Sequence, residues 1–392
     1  MKRLSFSLIF LSFTVCCFGQ GPLGKVLQEI EKNNPSLKAA AADVEAERIA
    51  GRAETLLTNP EVEFNYLWGA DNIGGRHDLR ISQSFDLPTL TGMKAGMAGN
   101  IGELAALRYK AERQSVLLEA KQACIDLVYC NSVLNELRTH LEQSTMLVDS
   151  YEKRMKAGES TVLDLNKARI HQTSVMGLVN KAETERRALL SALCAMNGGH
   201  EISFDALSYD LDDFLPDDFN TWFEDASDRS PVLGYARKQL EREERQLAID
   251  KASRLPELTV GYMSEIRTVE KFRGVTLGVS IPLWSAANKV RQSRARVTAA
   301  EERRNAAEQD FLYDLRNQYD KAFALKENSE MMRRSLSETD NREFLLSALS
   351  KGEISMIDYL VETDLYYKAL EATLEAERDY HHALALLSAF SL

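Results

Sequence analysis

The chain has 392 residues, with 48 Lys and Arg against 59 Asp and Glu, a formal net charge of −11, 8 Pro and 20 Gly. That acidic balance excludes a nucleic-acid binder, whose affinity comes from neutralising phosphates with a basic surface. A composition rich in Ala, Leu, Glu and Arg and poor in breakers predicts a mainly α chain of long exposed helices.

Residues 1–19 begin with Lys2 and Arg3, continue through an apolar run and end in small residues before Gln20, the pattern of a secretory signal peptide. Its removal takes the charge from −11 to −13 and places the mature chain outside the cytoplasm. Cys16 and Cys17 lack the preceding small residue of a lipidation site, so an acylated N-terminus is the less expected outcome. Cys124, Cys130 and Cys194 remain; the first two point in different directions on a helix, and no disulfide framework follows.

A helix is expected over 34–57. The period then changes from 3.6 to 2. In "PEVEFNYLWG" (60–69), Val62, Phe64, Tyr66 and Trp68 alternate with Glu61, Glu63, Asn65 and Leu67, which predicts a strand with one apolar face. A second strand is expected over 78–87, carrying Ile81 and Phe85, and a helix over 92–156, where Leu127, Leu134, Leu141, Val148 and Met155 recur every seven residues as in a coiled coil. At 1.5 Å per residue, helices of about 65 residues reach roughly 100 Å. "KAGESTVLDL" (156–165) interrupts the helical pattern for one tight turn before a helix over 161–196. An acidic insert with aromatics and breakers follows at 197–229.

From 230 the text repeats. "NPSLKAA" (34–40) aligns with "SPVLGYA" (230–236) at a shift of 196 that also superposes Pro60 on Pro256, Tyr66 on Tyr262, Ile81 on Leu277 and Phe85 on Ile281. Gly158 and Asp164 fall on Gly352 and Asp358 at a shift of 194. The first structural repeat is 20–196 and the second 230–392, with a helix over 230–255, strands over 256–266 and 273–283, and helices over 286–350 and 355–391. In the last strand Val275, Leu277, Val279 and Ile281 alternate with Thr276, Gly278, Ser280 and Pro282, and "KGEISMIDYL" (351–360) repeats the turn.

No mature segment offers the eighteen or so apolar residues of a membrane helix, whereas a tilted membrane strand needs only about 9–11. The four strands are about that long, and Trp68 and Trp284 end the first and last where interfacial aromatics belong. Four strands cannot close a membrane barrel, so spanning requires several chains to pool them and predicts a homo-oligomer. The competing reading is a non-channel periplasmic coiled-coil scaffold with two soluble hairpins. The turns have a local explanation, since Thr161-x-x-Asp164 and Ser355-x-x-Asp358 fit helix caps and Gly158 and Gly352 fit helix ends. Their position at the far end of very long helices also suggests a distal tip.

No G-x-S-x-G, H-E-x-x-H or Walker-type loop is present, and no enzyme, cofactor or metal site is expected. His381 and His382 point apart on a helix and read as solvated surface.

The ordered duplicate, with "LLTNPEVEFNY", "ISQSFDLP", "VSIPLW" and the two Gly-x5-Asp turns, resembles the TolC family of outer-membrane efflux proteins over essentially all of the mature chain. The resemblance implies a homotrimer whose twelve strands form one outer-membrane β-barrel, continuous with a long periplasmic α-helical barrel. It implies a passive duct in a tripartite system with a periplasmic membrane-fusion adaptor and an inner-membrane transporter of the RND type. Gly158, Thr161, Asp164, Gly352, Ser355 and Asp358 would then form the tunnel tip where the adaptor docks, and the insert would lie in an equatorial belt. Phe64, Tyr66, Trp68, Ile81, Phe85, Tyr262, Leu277, Val279 and Ile281 would face lipid. Asp358 matches an acidic position that narrows the closed tip in family members; Val361, one helical turn on, departs from that pattern. The strand-flanking pieces lean toward the branch serving heavy-metal cation efflux, with drug efflux and type I protein secretion as alternatives.

Overall fold

The computed structural model describes residues 21–53, 55–68, 75–86, 88–209, 215–267, 270–280 and 285–392. The expected signal segment, Ile281 and Trp284 lie outside these. The described chain is mostly helical with one small antiparallel sheet: α1 (Pro22–Asn33), α2 (Pro35–Ala53), β1 (Glu61–Trp68), β2 (Gly75–Phe85), α3 (Pro88–Lys156), α4 (Val162–Met196), α5 (Phe219–Arg229), α6 (Pro231–Ala252), β3 (Glu257–Ile266), β4 (Lys271–Ser280), α7 (Ser285–Glu338), α8 (Arg342–Lys351), α9 (Met356–Leu387) and a closing 3-10 turn at Ser388–Ser391. No described helix is long and apolar enough to cross a membrane.

The chain divides into two compact units. One comprises Ser36–Ser115, Pro216–Asp320 and Ala389–Leu392. It holds the sheet, whose order is β1-β2-β3-β4 with every neighbouring pair antiparallel. The acidic insert supplies α5 to this unit. Asp218 caps that helix by accepting from the backbone N–H groups of Asn220 and Thr221, and these bonds with the Thr221 hydroxyl hold its carboxyl below the usual range. Phe219 and Trp222 pack against Tyr319, and Trp222 meets Phe390 edge-on at 5.7 Å. The Tyr319 hydroxyl donates to the Pro216 carbonyl at 2.9 Å, so the aromatic cluster ends in a satisfied polar group.

The other unit comprises the chain to Pro35, Val116–Leu215 and Lys321–Ser388. Here the heptad positions Leu127, Cys130, Leu134, Ser144, Val148 and Tyr151 of α3 are buried, as the seven-residue pattern requires. Leu134 joins Val179 and Ala182 of α4, with Leu137 and Leu141 alongside. α1, which the sequence reading did not assign to a helix, buries Val26, Leu27 and Ile30. It is separated from α2 because Pro35 has no N–H and disfavours helical backbone at Asn34, whose ψ is 125°. Asn34 fills the break by donating to the Met196 carbonyl at 2.9 Å.

The helix expected over 286–350 is two helices. α7 ends at Glu338 and α8 begins at Arg342. Asp340 accepts from the Arg342 backbone N–H at 3.3 Å and from its guanidinium at 3.0 and 2.8 Å. The same guanidinium reaches Glu136 at 3.1 Å and lies 4.3 Å from the Tyr366 ring centroid. These contacts hold the Asp340 carboxyl below its usual range, Arg342 being the largest cause. A short polar side chain that bonds backbone competes with helix, and Thr339, Asp340 and Asn341 are three in succession.

Candidate functional site

The sheet has two chemically distinct faces. Residues paired directly across antiparallel strands share a face, so the register places Val62, Phe64, Tyr66, Trp68, Leu79, Ile81, Phe85, Leu258, Val260, Tyr262, Val275, Leu277 and Val279 together. Every sequence-assigned strand position that is described therefore lies on one side. The opposite face carries Glu63 and Arg80 at 3.4 Å, Arg76 at 3.0 Å from Asp78 and 3.2 Å from Glu265, and the Ser84–Thr259 hydroxyl pair at 3.1 Å. The apolar face is bare: Phe64 is 67%, Leu277 80% and Trp68 84% exposed. A contiguous apolar surface of this kind marks a contact with membrane or protein.

The apolar residues do not run straight across the strands. On β1 they reach the hairpin end at Trp68. On β4 they occupy Val275 to Val279, while Arg273 and Lys271 take the rows opposite Ser264 and Ile266. From β1 to β4 the band thus drifts by about two residue pairs, oblique to the strand direction. Strands tilted to a membrane normal need this offset, because a level slab crosses successive tilted strands at shifted heights. Tyr66 stacks on His77 at 5.5 Å and meets Trp68 edge-on at 5.2 Å, forming an aromatic group at one edge of the band. β1 and β4 each have a strand partner on one side only, leaving two backbone edges to be covered.

The two turns are near-copies in backbone geometry. Gly158 and Gly352 both have φ of 77°. At the first, Gly158 N–H donates to the Met155 carbonyl at 3.0 Å and Glu159 N–H to Arg154 at 2.8 Å. At the second, Gly352 N–H donates to Leu349 at 3.1 Å and Glu353 N–H to Ala348 at 2.9 Å. These are Schellman helix ends. A Cβ would meet nothing within 4 Å at either glycine, so the left-handed backbone rather than lack of room selects Gly.

Each turn then restarts a helix with the same cap. Thr161 Oγ1 accepts from Asp164 N–H at 3.2 Å and donates to Asp164 Oδ2 at 2.6 Å. Ser355 Oγ does the same with Asp358 at 3.2 and 2.6 Å, and Ser355 N–H also donates to Asp358 Oδ2 at 3.3 Å. The Thr161 hydroxyl, followed by Lys167, holds the Asp164 carboxyl below the usual range. Thr161 and Ser355 are thus the N-caps, the reciprocal backbone bond of a full capping box is made by Asp358, and the structure gives these six residues a local reason to be present. Behind them Leu147, Val148, Tyr151, Leu165, Ala168, Leu349, Met356 and Tyr359 form one buried core shared by the α3–α4 and α8–α9 hairpins. Val162, Leu163, Ile357, Val361 and Leu365 remain exposed next to the turns, the last three on one face of α9.

The histidine reading is corrected at both positions. The His381 ring stacks on Tyr209 at 4.0 Å, and His382 Nε2 lies 2.8 Å from Asp126 Oδ1 of α3, so both rings make contacts within the protein rather than standing free in solvent. Among the described residues no group of three or more His, Cys, Asp or Glu is arranged to hold a metal ion.

Residues 222–390 match the family model described as outer membrane efflux protein. No curated protein sequence matches the chain. Among solved structures, the Campylobacter jejuni CmeC outer membrane channel superposes with a TM-score of 0.77 at 16% identity, covering 94% of this chain and 85% of that one. CusC gives 0.74 at 16%, covering 94% and 92%. The open state of the Neisseria gonorrhoeae MtrE outer membrane channel gives 0.71 at 15%, covering 94% and 88%. Residues 222–390 are thus similar to the outer membrane efflux protein family, and the chain has the fold of these outer membrane channels. CusC does not stand apart from the others.

Proposed function

We propose that this chain, with the similarity to the outer membrane efflux family in its second half and the channel fold throughout, is the outer-membrane channel of a tripartite efflux system. The oblique apolar band on a sheet with two open edges carries that reading. Three copies would pair β4 of one with β1 of the next, closing twelve strands into a barrel with the apolar face toward lipid and the Arg76, Asp78, Glu63 and Glu265 face toward water. Two tandem copies of a helix-hairpin-helix unit within one chain account for the recurrence of elements. The helices continue the duct through the periplasm, and the paired turns at Gly158–Asp164 and Gly352–Asp358, with the exposed apolar residues beside them, form the tip on which a periplasmic adaptor docks. An inner-membrane transporter drives export, since the chain supplies passage rather than chemistry. The strand-flanking sequences favour metal cations as cargo; drugs and secreted polypeptides fit the same duct, and the transporter makes that choice.

Cysteine cross-linking tests the pooling of strands. With Cys194 changed to Ser, Asn65→Cys on β1 is combined in turn with Thr276→Cys, Gly278→Cys and Ser280→Cys on β4. One register is expected to give disulfide-linked dimers and trimers and nothing larger. Monomers in all three combinations, in protein recovered folded from the outer membrane, would exclude the pooled barrel.

A further inference from the structure

Within the unit that contains the two turns, His140 on α3 and His171 on α4 face each other with their Nε2 atoms 3.1 Å apart. His140 is buried at 5% exposure, and its ring lies flat on Tyr367 of α9, with centroids 3.8 Å apart and planes 6° from parallel. The pair borders a cavity of about 340 Å³ that Asp364, Glu136, Glu185 and Glu371 also line, against Lys181 and Lys368. We propose that His140 and His171 bind a divalent first-row transition cation, the two Nε2 atoms taking neighbouring positions in its coordination sphere and Asp364 supplying a third ligand.

The spacing carries the first part. Two metal–nitrogen bonds of about 2.0–2.1 Å that meet at an angle between square and tetrahedral hold their nitrogens about 3 Å apart. Without a metal, two neutral imidazoles share one hydrogen bond between these same Nε2 atoms, whereas a metal would use both Nε2 lone pairs. Burial, followed by the neighbouring His171, drives the His140 pKa down to about 4, burial lowers that of His171, and Asp364 is near enough to oppose both shifts.

No third ligand is already in place, in keeping with the absence of a preformed cluster among the described residues. Asp364 is close enough to act on both histidines and now pairs with Lys368 at 2.7 Å. That pair is a solvated i,i+4 contact, with side chains 61% and 72% exposed, and exchanges readily. Two imidazoles and one carboxylate select zinc, cobalt, nickel or copper over magnesium or calcium. The excess of carboxylates around the cavity draws cations toward it. A bound ion would tie the α3–α4 hairpin to α9. This inference does not rest on the channel reading, because binding is measured on the isolated protein.

The experiment titrates EDTA-treated, detergent-purified full-length protein with Co²⁺ alone, following visible d–d absorption, and repeats it with Zn²⁺ by calorimetry. One ion per chain is expected. His171→Gln should weaken binding at least tenfold, Asp364→Asn should weaken it with both imidazoles intact, and His382→Gln should leave it unchanged. Each variant is checked for the wild-type oligomer on gel filtration. Wild-type protein that binds neither ion stoichiometrically overturns the proposal whether or not the variants fold. Binding lost in His382→Gln, or retained in His140→Gln/His171→Gln, also overturns it.

Discussion

Leu277→Arg is expected to abolish recovery of the protein as an outer-membrane oligomer. Leu277 is 80% exposed at the centre of the apolar run on β4, flanked by Val275 and Val279 and directly opposite Val260. A barrel holds that side chain near the bilayer midplane, where an arginine costs about 2–4 kcal/mol in each copy. The control is one residue away: Thr276 lies on the opposite, polar face, and arginine there should assemble nearly as wild type. Membrane fractionation followed by non-denaturing electrophoresis reads both variants. A soluble scaffold with water on both faces would treat them alike, and an intact Leu277→Arg oligomer in the outer membrane would remove the lipid-facing assignment.

The second large effect is expected in the core behind the two turns. Leu165 is 3% exposed in the core that both hairpins share, next to Leu147, Tyr151, Leu349 and Tyr359. Leu165→Ala should destabilise that region by about 2–5 kcal/mol, through lost transfer energy and the residual cavity. The sheet belongs to the other compact unit, so the variant should still insert and oligomerise while its turns near Gly158 and Gly352 become more sensitive to limited proteolysis. Leu163→Ala is the comparison. Leu163 is 71% exposed, and its truncation should change stability by no more than about 0.5 kcal/mol. Equal protease sensitivity in the two variants would mean that the shared core does not hold the turns.

Periodicity made the helices and strands legible because each element buries or exposes one repeating face. Alternation in "VEFNYLW" was enough to put Val62, Phe64, Tyr66 and Trp68 on one face, and β1 observes it. The turn residues were equally readable, since a left-handed helix end and a following cap constrain residue types locally. Sequence alone could not supply the oblique course of the apolar band, which depends on the register among all four strands. It also missed α1, whose short amphipathic stretch follows the signal-like segment, and the break between α7 and α8. That break could have been found: the run Ser337, Glu338, Thr339, Asp340, Asn341 is rich in residues that bond backbone, but a continuing helical period masked it. The His140–His171 pair was invisible for a different reason. Its members are 31 residues apart on separate helices, and only the packing of α3 on α4 brings their rings together.

The tip residues were legible as types and ambiguous as roles. Thr161, Asp164, Ser355 and Asp358 satisfy one another's hydrogen bonds within each cap, which any exposed helix start would favour. What points beyond capping is the company they keep: two closely similar turns over one core, edged by exposed Val162, Leu163, Ile357, Val361 and Leu365. Apolar side chains left bare beside a satisfied cap are what a docking partner would cover.

Single-channel recording in planar bilayers tests the central claim most directly. Purified wild-type oligomer should produce discrete, long-lived current steps, and Leu165→Ala should raise their amplitude by loosening the end of the duct. Oligomer that incorporates into the bilayer yet passes no current, as wild type and as Leu165→Ala, would contradict a continuous passage through this protein.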